Sequence, residues 1–199
     1  MKHEHNTTKQ DLIDTTVSLL DDVSLEEISA VMVLEKSGIS KSSMYHFFED
    51  FSDLLEQAFL KRFAASVEAS DKAIKETIAA STTATELFTG LAKITKASQD
   101  RKNSHIRFER ARTLARAERN ERFRKALGEL QQQLTDSLTE GVTMAQTKGF
   151  ITKEFQPRTL AVFIQAYTLG RIVDDITTRH MDDHDWEALI GSIVAKTLA

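Results

Sequence analysis

The chain is 199 residues long, with 41% apolar, 28% charged and 7% aromatic residues, no cysteine, one proline and seven glycines. That length suits one domain of ordinary size, or two small ones sharing a core. The missing cysteine excludes a disulfide scaffold, a thiolate nucleophile and a thiolate zinc site, and so few prolines and glycines exclude a turn-rich β-sandwich. Twenty-six lysines and arginines stand against thirty acids, a formal −4, which on its own speaks against a nucleic-acid binder.

Apolar spacing is helical nearly throughout. Thr7 or Thr8 is placed to cap a first helix on which Leu12, Ile13, Thr16, Val17, Leu19 and Leu20 share a face. Val31, Leu34 and Ser37 give a short second helix, stopped by Gly38, a residue suited to the positive φ of a helix end. Ser40 caps a third short helix reaching about Phe47, and Ser52 caps a fourth carrying Leu55, Ala58, Phe59, Arg62 and Phe63. The stretch from Ser70 to Thr85 is rich in Ala, Thr and Ser and reads as a weakly packed helix end followed by a loop. A stripe of Leu87, Phe88, Leu91 and Ile94 predicts a helix over 86–97, and another follows from about Ser104 to Arg116. The longest stripe runs Phe123, Leu127, Leu130, Leu134, Leu138, Val142 and Ala145 and ends near Gly149. Pro157 opens a helix carrying Leu160, Phe163, Ile164, Tyr167, Ile172, Val173 and Ile176. A final one holds Trp186, Leu189, Ile190, Ile193, Val194 and Leu198.

The expected fold is therefore all-α, with about nine helices. A three-helix unit occupies 1–50, a larger helical bundle 51–199, and the fourth helix joins them. No stretch approaches the roughly 18 apolar residues of a membrane span, and MKHEHNTTKQ lacks the apolar stretch of a secretory signal. A soluble, cytoplasmic protein with no membrane partner is expected.

The segment Ser29–Phe48 reads SAVMVLEKSGISKSSMYHFF. Gly38 turns the chain, Leu34 and Ile39 fill the angle between two helices, and small Ser37 lets them approach. Met44 and Phe48, four apart, anchor the third helix from below. The other face shows Lys41, Ser42, Ser43, Tyr45 and His46, a polar row rich in donors and free of carboxylates. Such a row suits a helix laid in a major groove, and free N–H groups at its N-terminus suit phosphate.

This run, Ser37-Gly38-Ile39-Ser40-Lys41-Ser42-Ser43-Met44-Tyr45-His46-Phe47-Phe48, resembles the helix-turn-helix of the tetracycline-repressor (TetR) family of transcriptional regulators. Length and the all-α remainder agree with the likeness, although only about the first 60 residues carry a readable signature. The resemblance implies phosphate contacts from Ser29, Ser43, Tyr45 and His46, with Lys41 and Ser42 at or near base edges and Ser40 also among the DNA-binding residues. One position departs from the pattern: Phe51 stands where the family usually opens its fourth helix with a lysine, next to acidic Glu49 and Asp50.

Divided by region, the charge is uneven. Residues 1–50 hold four lysines against ten acids, a local −6, yet none of those acids lies between Ile39 and Phe48. Carboxylates on a face turned away from DNA matter little beyond a Debye length of about 8 Å, so binding through neutral donors and few lysines is expected. Residues 101–125 hold ten basic residues against Glu109, Glu118 and Glu121, a local +7. This segment reads either as a solvated face with neighbouring pairs, or as a basic surface for the acidic first unit, which the resemblance implies would relay ligand occupancy. A separate site for nucleic acid or an acidic effector is the third option.

By resemblance, the C-terminal bundle encloses an effector pocket and forms a dimer through its last two long helices. Phe63, Phe88, Leu91, Phe108, Phe163 and Tyr167 are the pocket candidates, with an apolar or amphipathic small molecule as the expected effector. Phe163, Tyr167, Gly170, Arg171, Trp186, Ile190, Ile193 and Val194 are the dimer candidates, and a helix-turn-helix reading a palindrome needs two copies. Arg171 and Asp175 are spaced as i,i+4 partners. His180, Asp182, Asp183, His184 and Asp185 form one His/Asp cluster, and His3 and His5 a second. Both sit at expected loops or a terminus, and Asp182 or Asp183 is explained as a helix cap. No Gly-rich phosphate loop, zincin motif or Ser-His-Asp arrangement stands in the sequence. No metal site, cofactor or catalytic residue is expected, and the protein is not read as an enzyme. The sequence thus points to a homodimeric, ligand-responsive DNA-binding regulator, most simply a repressor released from a palindromic operator. An all-α ligand-binding or adaptor bundle without DNA binding is the alternative.

Overall fold

The computed structural model of the chain describes the backbone of residues 2–198 and the side chains of 7–196. His3, His5 and Leu198 therefore fall outside the described side chains. The described residues form nine helices of seven to thirty residues, a four-residue helix and a 3-10 turn, with no strand. The chain divides into two compact units, 1–65 and 66–199.

The first unit holds α1 (Lys2–Asp22), α2 (Ala30–Ser37), α3 (Lys41–Phe47) and the opening half of α4 (Phe51–Ala80). Its core is Leu12, Ile13, Leu19, Ile28, Val33, Met44, Phe48 and Leu54. Because Leu54 and partly buried Phe51 and Leu55 belong to that core, the compact unit extends past the expected boundary near residue 50. Helix ends follow local chemistry. Ser29 accepts from the Met32 N–H, Ser40 accepts from the Ser43 N–H, and Gly38 takes φ 68° with its N–H on the Leu34 carbonyl. Two sequence-based caps are corrected. Thr7 and Thr8 lie inside α1, which starts at Lys2. The cap of α4 is Asp50 rather than Ser52: its Oδ1 accepts from the Asp53 N–H at 2.8 Å, while Asp53 Oδ2 accepts from the Glu49 N–H at 3.1 Å.

The second unit comprises the rest of α4, α5 (Ala84–Gln99), a 3-10 turn at Arg101–Asn103, α6 (Ser104–Arg116), α7 (Glu121–Thr147), α8 (Pro157–Gly170), α9 (Ile172–Asp175) and α10 (Asp183–Leu198). Ile78, Leu87, Ala145, Ile151 and Leu160 form one of its buried clusters. Of the weakly packed helix end and loop expected over 70–85, the loop shrinks to a few residues, because α4 continues to Ala80. Its hydroxyls bond back within the helix instead of capping a break, Ser70 donating to the Ser66 carbonyl and Thr77 to the Ala73 carbonyl, both at 2.8 Å. The apolar face of this stretch is carried by Ile74 and Ile78, and Gly141 of α7 sits against them: a Cβ there would lie 2.7 Å from Ile78 Cδ1. At the far end of α7, Gly149 takes φ 73° and the Phe150 N–H reaches the Ala145 carbonyl at 2.9 Å, closing the helix.

The expected helix from Pro157 to Ile176 is interrupted. It stops at Gly170, and Ile172–Asp175 forms a separate turn. The anticipated Arg171–Asp175 pair does not form. Arg171 instead bonds Asp183 at the start of α10, and Asp175 receives a bidentate pair from Arg107 of α6, at 2.5 and 2.7 Å. Partners on two other helices replace the i,i+4 pair, and a glycine marks the break.

Candidate functional site

In α3 a helical period with Met44 fully buried and Phe48 2% exposed leaves Lys41, Ser42, Tyr45 and His46 on the outside. Tyr45 is half exposed. Lys41 Nζ stands 5.9 Å from the Tyr45 ring centroid, and the His46 ring meets Phe47 edge-on at 4.9 Å. Ser40 Oγ lies 3.0 Å from Ser42 Oγ and 2.9 Å from Ser43 Oγ, so three hydroxyls gather at the head of the helix. Ser29 is half-buried at the head of α2, where its side chain is committed to capping. Chemically this face offers one cation and several neutral donors. The acids of the unit lie elsewhere: Asp22 is paired with Lys36 at 3.0 Å, Asp21 with Arg62 at 2.9 Å, and Asp14 with Lys61. Phe51, at the position where a lysine was expected by resemblance, is packed against the core.

The second unit contains a cavity of about 850 Å³, in the range of small-molecule sites. Helices α4, α5, α7, α8 and α10 wall it with residues such as Ile74, Phe88, Leu138, Leu160, Ile190 and Val194, and α6 contributes Arg110. Of the pocket candidates, Phe88, Leu91, Phe163 and Tyr167 line it. Phe63 and Phe108 do not. Phe63 is a buried residue of the first unit, and Phe108 is a partly buried residue of α6 outside the lining. The polar lining is sparse. The Tyr167 hydroxyl lies 3.3 Å from Thr95 Oγ1. Gln165 takes a 2.5 Å bond from Gln131 and donates to Thr135 Oγ1 and to the Ala161 carbonyl. Gln131 in turn accepts from Arg110 Nη2 at 3.3 Å.

Arg110 is the lining residue that charge counting missed. Burial pushes its guanidinium below its ordinary value, although an arginine stays charged in proteins. Its signal was present but inverted: on α6 Arg107 and Thr113 are buried while Ile106 is half exposed. Arg107, Arg110 and Thr113 recur every three residues on the inward face. The basic segment is therefore no uniform solvated face. Besides bonding Asp175, Arg107 donates to the Ser98 and Asp100 carbonyls, and Arg101 reaches the Met181 carbonyl and Asp183.

The dimer candidates scatter. Phe163 and Gly170 are exposed, whereas Arg171 is 2% exposed and Ile190 5% exposed. Tyr167, Ile190, Ile193 and Val194 line the cavity, and Trp186 Nε1 donates to Gln99 Oε1 at 2.9 Å. Val162, Phe163 and Ala166 of α8, Val173 of α9, Ile176 just beyond it and Leu189 of α10 are exposed apolar residues. Between α9 and α10, Asp182, His184 and Asp185 bring ligand atoms within 4.8 Å of one another on the exposed surface. Asp182 accepts from the Asp185 N–H there, which is the helix cap expected from sequence, and His180 Nδ1 lies 3.5 Å from Asp174.

No family model matches the sequence, and no curated protein matches it. Solved structures do. Two units, a helix-turn-helix followed by a cavity-bearing helical bundle, make up the fold of the TetR-family transcriptional regulators. A Mesorhizobium loti regulator assigned to that family superposes with TM-score 0.71 at 13% identity, covering 96% of this chain and 95% of the other. Salmonella enterica GusR gives 0.67 at 19% identity over 96% and 95%. Bacillus subtilis FadR, in complex with stearoyl-CoA, gives 0.57 at 14% identity over 93% and 96%. No helix among the described residues is long and apolar enough to cross a membrane.

Proposed function

We propose that the chain is a homodimeric DNA-binding transcriptional regulator, acting as a repressor released from a palindromic operator by a small-molecule effector. The observation that carries this reading is α3, whose outward row of Lys41, Ser42, Tyr45 and His46 is held by Met44 and Phe48 beneath it. In this reading Lys41 and Ser42, with Ser40, approach base edges, and Ser29, Ser43, Tyr45 and His46 contact phosphates. The exposed apolar residues of α8 to α10 supply the dimer face, and two copies match a two-fold operator. The cavity is the effector site, in keeping with a ligand-bound FadR neighbour. Helix α4 is the coupling element, since Leu54 serves the first core and Ile74 and Ile78 line the cavity. The protein works in the cytoplasm, where the operator is, and performs no catalysis.

The test is a gel shift against the promoter upstream of its own gene and its neighbours, followed by salt titration. Each neutralised phosphate contributes about −0.9 to the slope of log K against log salt. With Lys41 the only lysine or arginine in α3, the expected slope is shallow. A slope equivalent to about eight or more phosphates per dimer would overturn the neutral-donor mode of binding. The local −6 of residues 1–50 favours the alternative of a bundle that binds no DNA; failure to bind any such promoter at low salt establishes that alternative.

A further inference from the structure

We propose that the cavity takes an uncharged, largely apolar molecule bearing an acceptor oxygen, a carbonyl or hydroxyl, which the paired hydroxyls of Tyr167 and Thr95 receive. This rests on reading the cavity as the effector site. Carbon side chains such as Ile74, Phe88, Leu138 and Ile164 supply most of the wall, and its other polar groups are already engaged. Ser70, Thr89, Ser98 and Thr168 each donate to a backbone carbonyl, at 2.7 to 2.9 Å. Gln165 accepts from Gln131 and donates to Thr135 and to the Ala161 carbonyl, and Thr85 is exposed to water. Glu187 is paired with Lys96 at 3.4 Å, Lys93 and Lys96 are exposed, and Arg110 has its own protein partners, Gln131 among them. Thr95 of α5 and Tyr167 of α8 differ from all of these. Their oxygens lie 3.3 Å apart, and among the described residues each hydroxyl bonds only the other. Two hydroxyls carry two protons, and a mutual bond uses one. The second is left for the cavity, which both residues line. A ligand that expels water without offering an acceptor leaves this donor unpaired, which is costly, whereas a ligand oxygen satisfies it. An ion would lose hydration that a wall made mostly of carbon does not return.

Displacement of the apolar fluorophore N-phenyl-1-naphthylamine from the full-length protein tests the proposal. The competitors are butyrophenone, butylbenzene, 4-phenylbutyrate and 4-phenylbutylamine, which share a phenyl group and ten carbons and differ in the polar group. The ketone is expected to bind about tenfold or more tighter than the carboxylate or the ammonium. In the double variant Tyr167→Phe with Thr95→Val, the ketone is expected to weaken about two- to tenfold, the range of one neutral hydrogen bond. Butylbenzene should keep its affinity there, which shows the cavity intact. If the ketone holds its affinity in the variant, or if ketone and hydrocarbon shift alike, the assignment of Tyr167 and Thr95 is overturned and the cavity stands as an effector site. If either ion binds wild-type protein as tightly as the ketone, the uncharged class is overturned, a result that needs no variant. If neither the fluorophore nor any competitor binds, the effector-site reading fails and the proposal with it.

Discussion

The Arg107–Asp175 pair sets a sharp energetic expectation. Both side chains are almost wholly buried, 5% and 1% exposed, and two parallel bonds of 2.5 and 2.7 Å join them. Asp175→Asn changes one oxygen to an amide nitrogen and leaves volume nearly constant, so no cavity cost enters the measurement. One guanidinium N–H keeps an acceptor and another faces an amide donor. Arg107 Nη1 retains the Ser98 and Asp100 carbonyls at 2.9 and 3.2 Å. Removing one partner of a buried pair costs about 3–5 kcal/mol. The surviving acceptors place Asp175→Asn at the low end, about 3 kcal/mol. For a chain of this size, that lowers Tm by roughly 6–12 °C. Urea unfolding followed by the fluorescence of Trp186, the sole tryptophan, reports on the same unit. The double variant Arg107→Met with Asp175→Leu is expected to recover most of the loss, since apolar replacement of a buried pair is often neutral. A loss below about 1 kcal/mol in Asp175→Asn, or strict additivity of the two single variants, would refute the claim that this pair fixes α9 against α6.

Three further outcomes are expected. Met44→Ala empties a fully buried site and costs about 2–5 kcal/mol in the first unit, whereas Tyr45→Ala leaves thermal stability unchanged and weakens operator binding about tenfold, the worth of one hydrogen bond; circular dichroism melts beside gel shifts separate the two effects. Gly90→Ala gains about 1 kcal/mol of helix propensity, but its Cβ would sit 2.5 Å from Thr77 Cγ2, on a side chain whose Oγ1 is held on the Ala73 carbonyl, so net destabilisation is expected in urea and a net gain would contradict the tight α4–α5 approach. Asp183 is held below its ordinary value of 3.8 by its hydrogen bond from Arg171, with Arg101 adding attraction. A depressed carboxyl contributes stability that is present above pH 3.8 and is lost as pH falls through the folded value, so Asp183→Asn should flatten the acid limb of the stability profile, and an unchanged limb would count against it.

Much of the first unit was legible because a single period governs it. Leu12, Ile13 and Leu19 recur on the helical repeat, Met44 and Phe48 are four apart, and Gly38 alone supplies the left-handed turn. The same rule failed on α6, where the inward positions are Arg107 and Arg110 and an apolar Ile106 faces out. Hydropathy assigns charge to solvent, and nothing local announces that Asp175, more than sixty residues on, will receive Arg107. The stretch after Ser70 was misread for a related reason. Its Ala, Ser and Thr residues bury little by themselves, and Ile74 and Ile78 hold the helix only once Gly141 lets α7 come close. For the same reason Ile193 and Val194 were expected at the dimer interface and Tyr167 at both interface and pocket, whereas all three line the cavity. Both faces of α8 and α10 are apolar, and only packing tells them apart.

Net charge misleads here through pairing. The −6 of the first fifty residues includes Asp14, Asp21 and Asp22, each carrying a cation from α2 or α4. The +7 of the central segment includes Arg101 and Arg107, each committed to an aspartate beyond α8. The exposed pairs among these contribute at most about 1 kcal/mol each to stability, unlike the buried Arg107–Asp175 pair, but all of them fix where potential is cancelled. What a phosphate meets at α3 is then set by distance from the nearest uncancelled charge, within about 8 Å at physiological salt. On the helix itself that charge is Lys41, held near Tyr45. Under the proposed reading, an α3 that presents one lysine among hydroxyls, an imidazole and a phenol gains little from non-specific attraction to DNA. Its affinity rests on the fit of those donors, and so discrimination between operator and bulk DNA should survive changes in salt that would erase it in a lysine-rich helix.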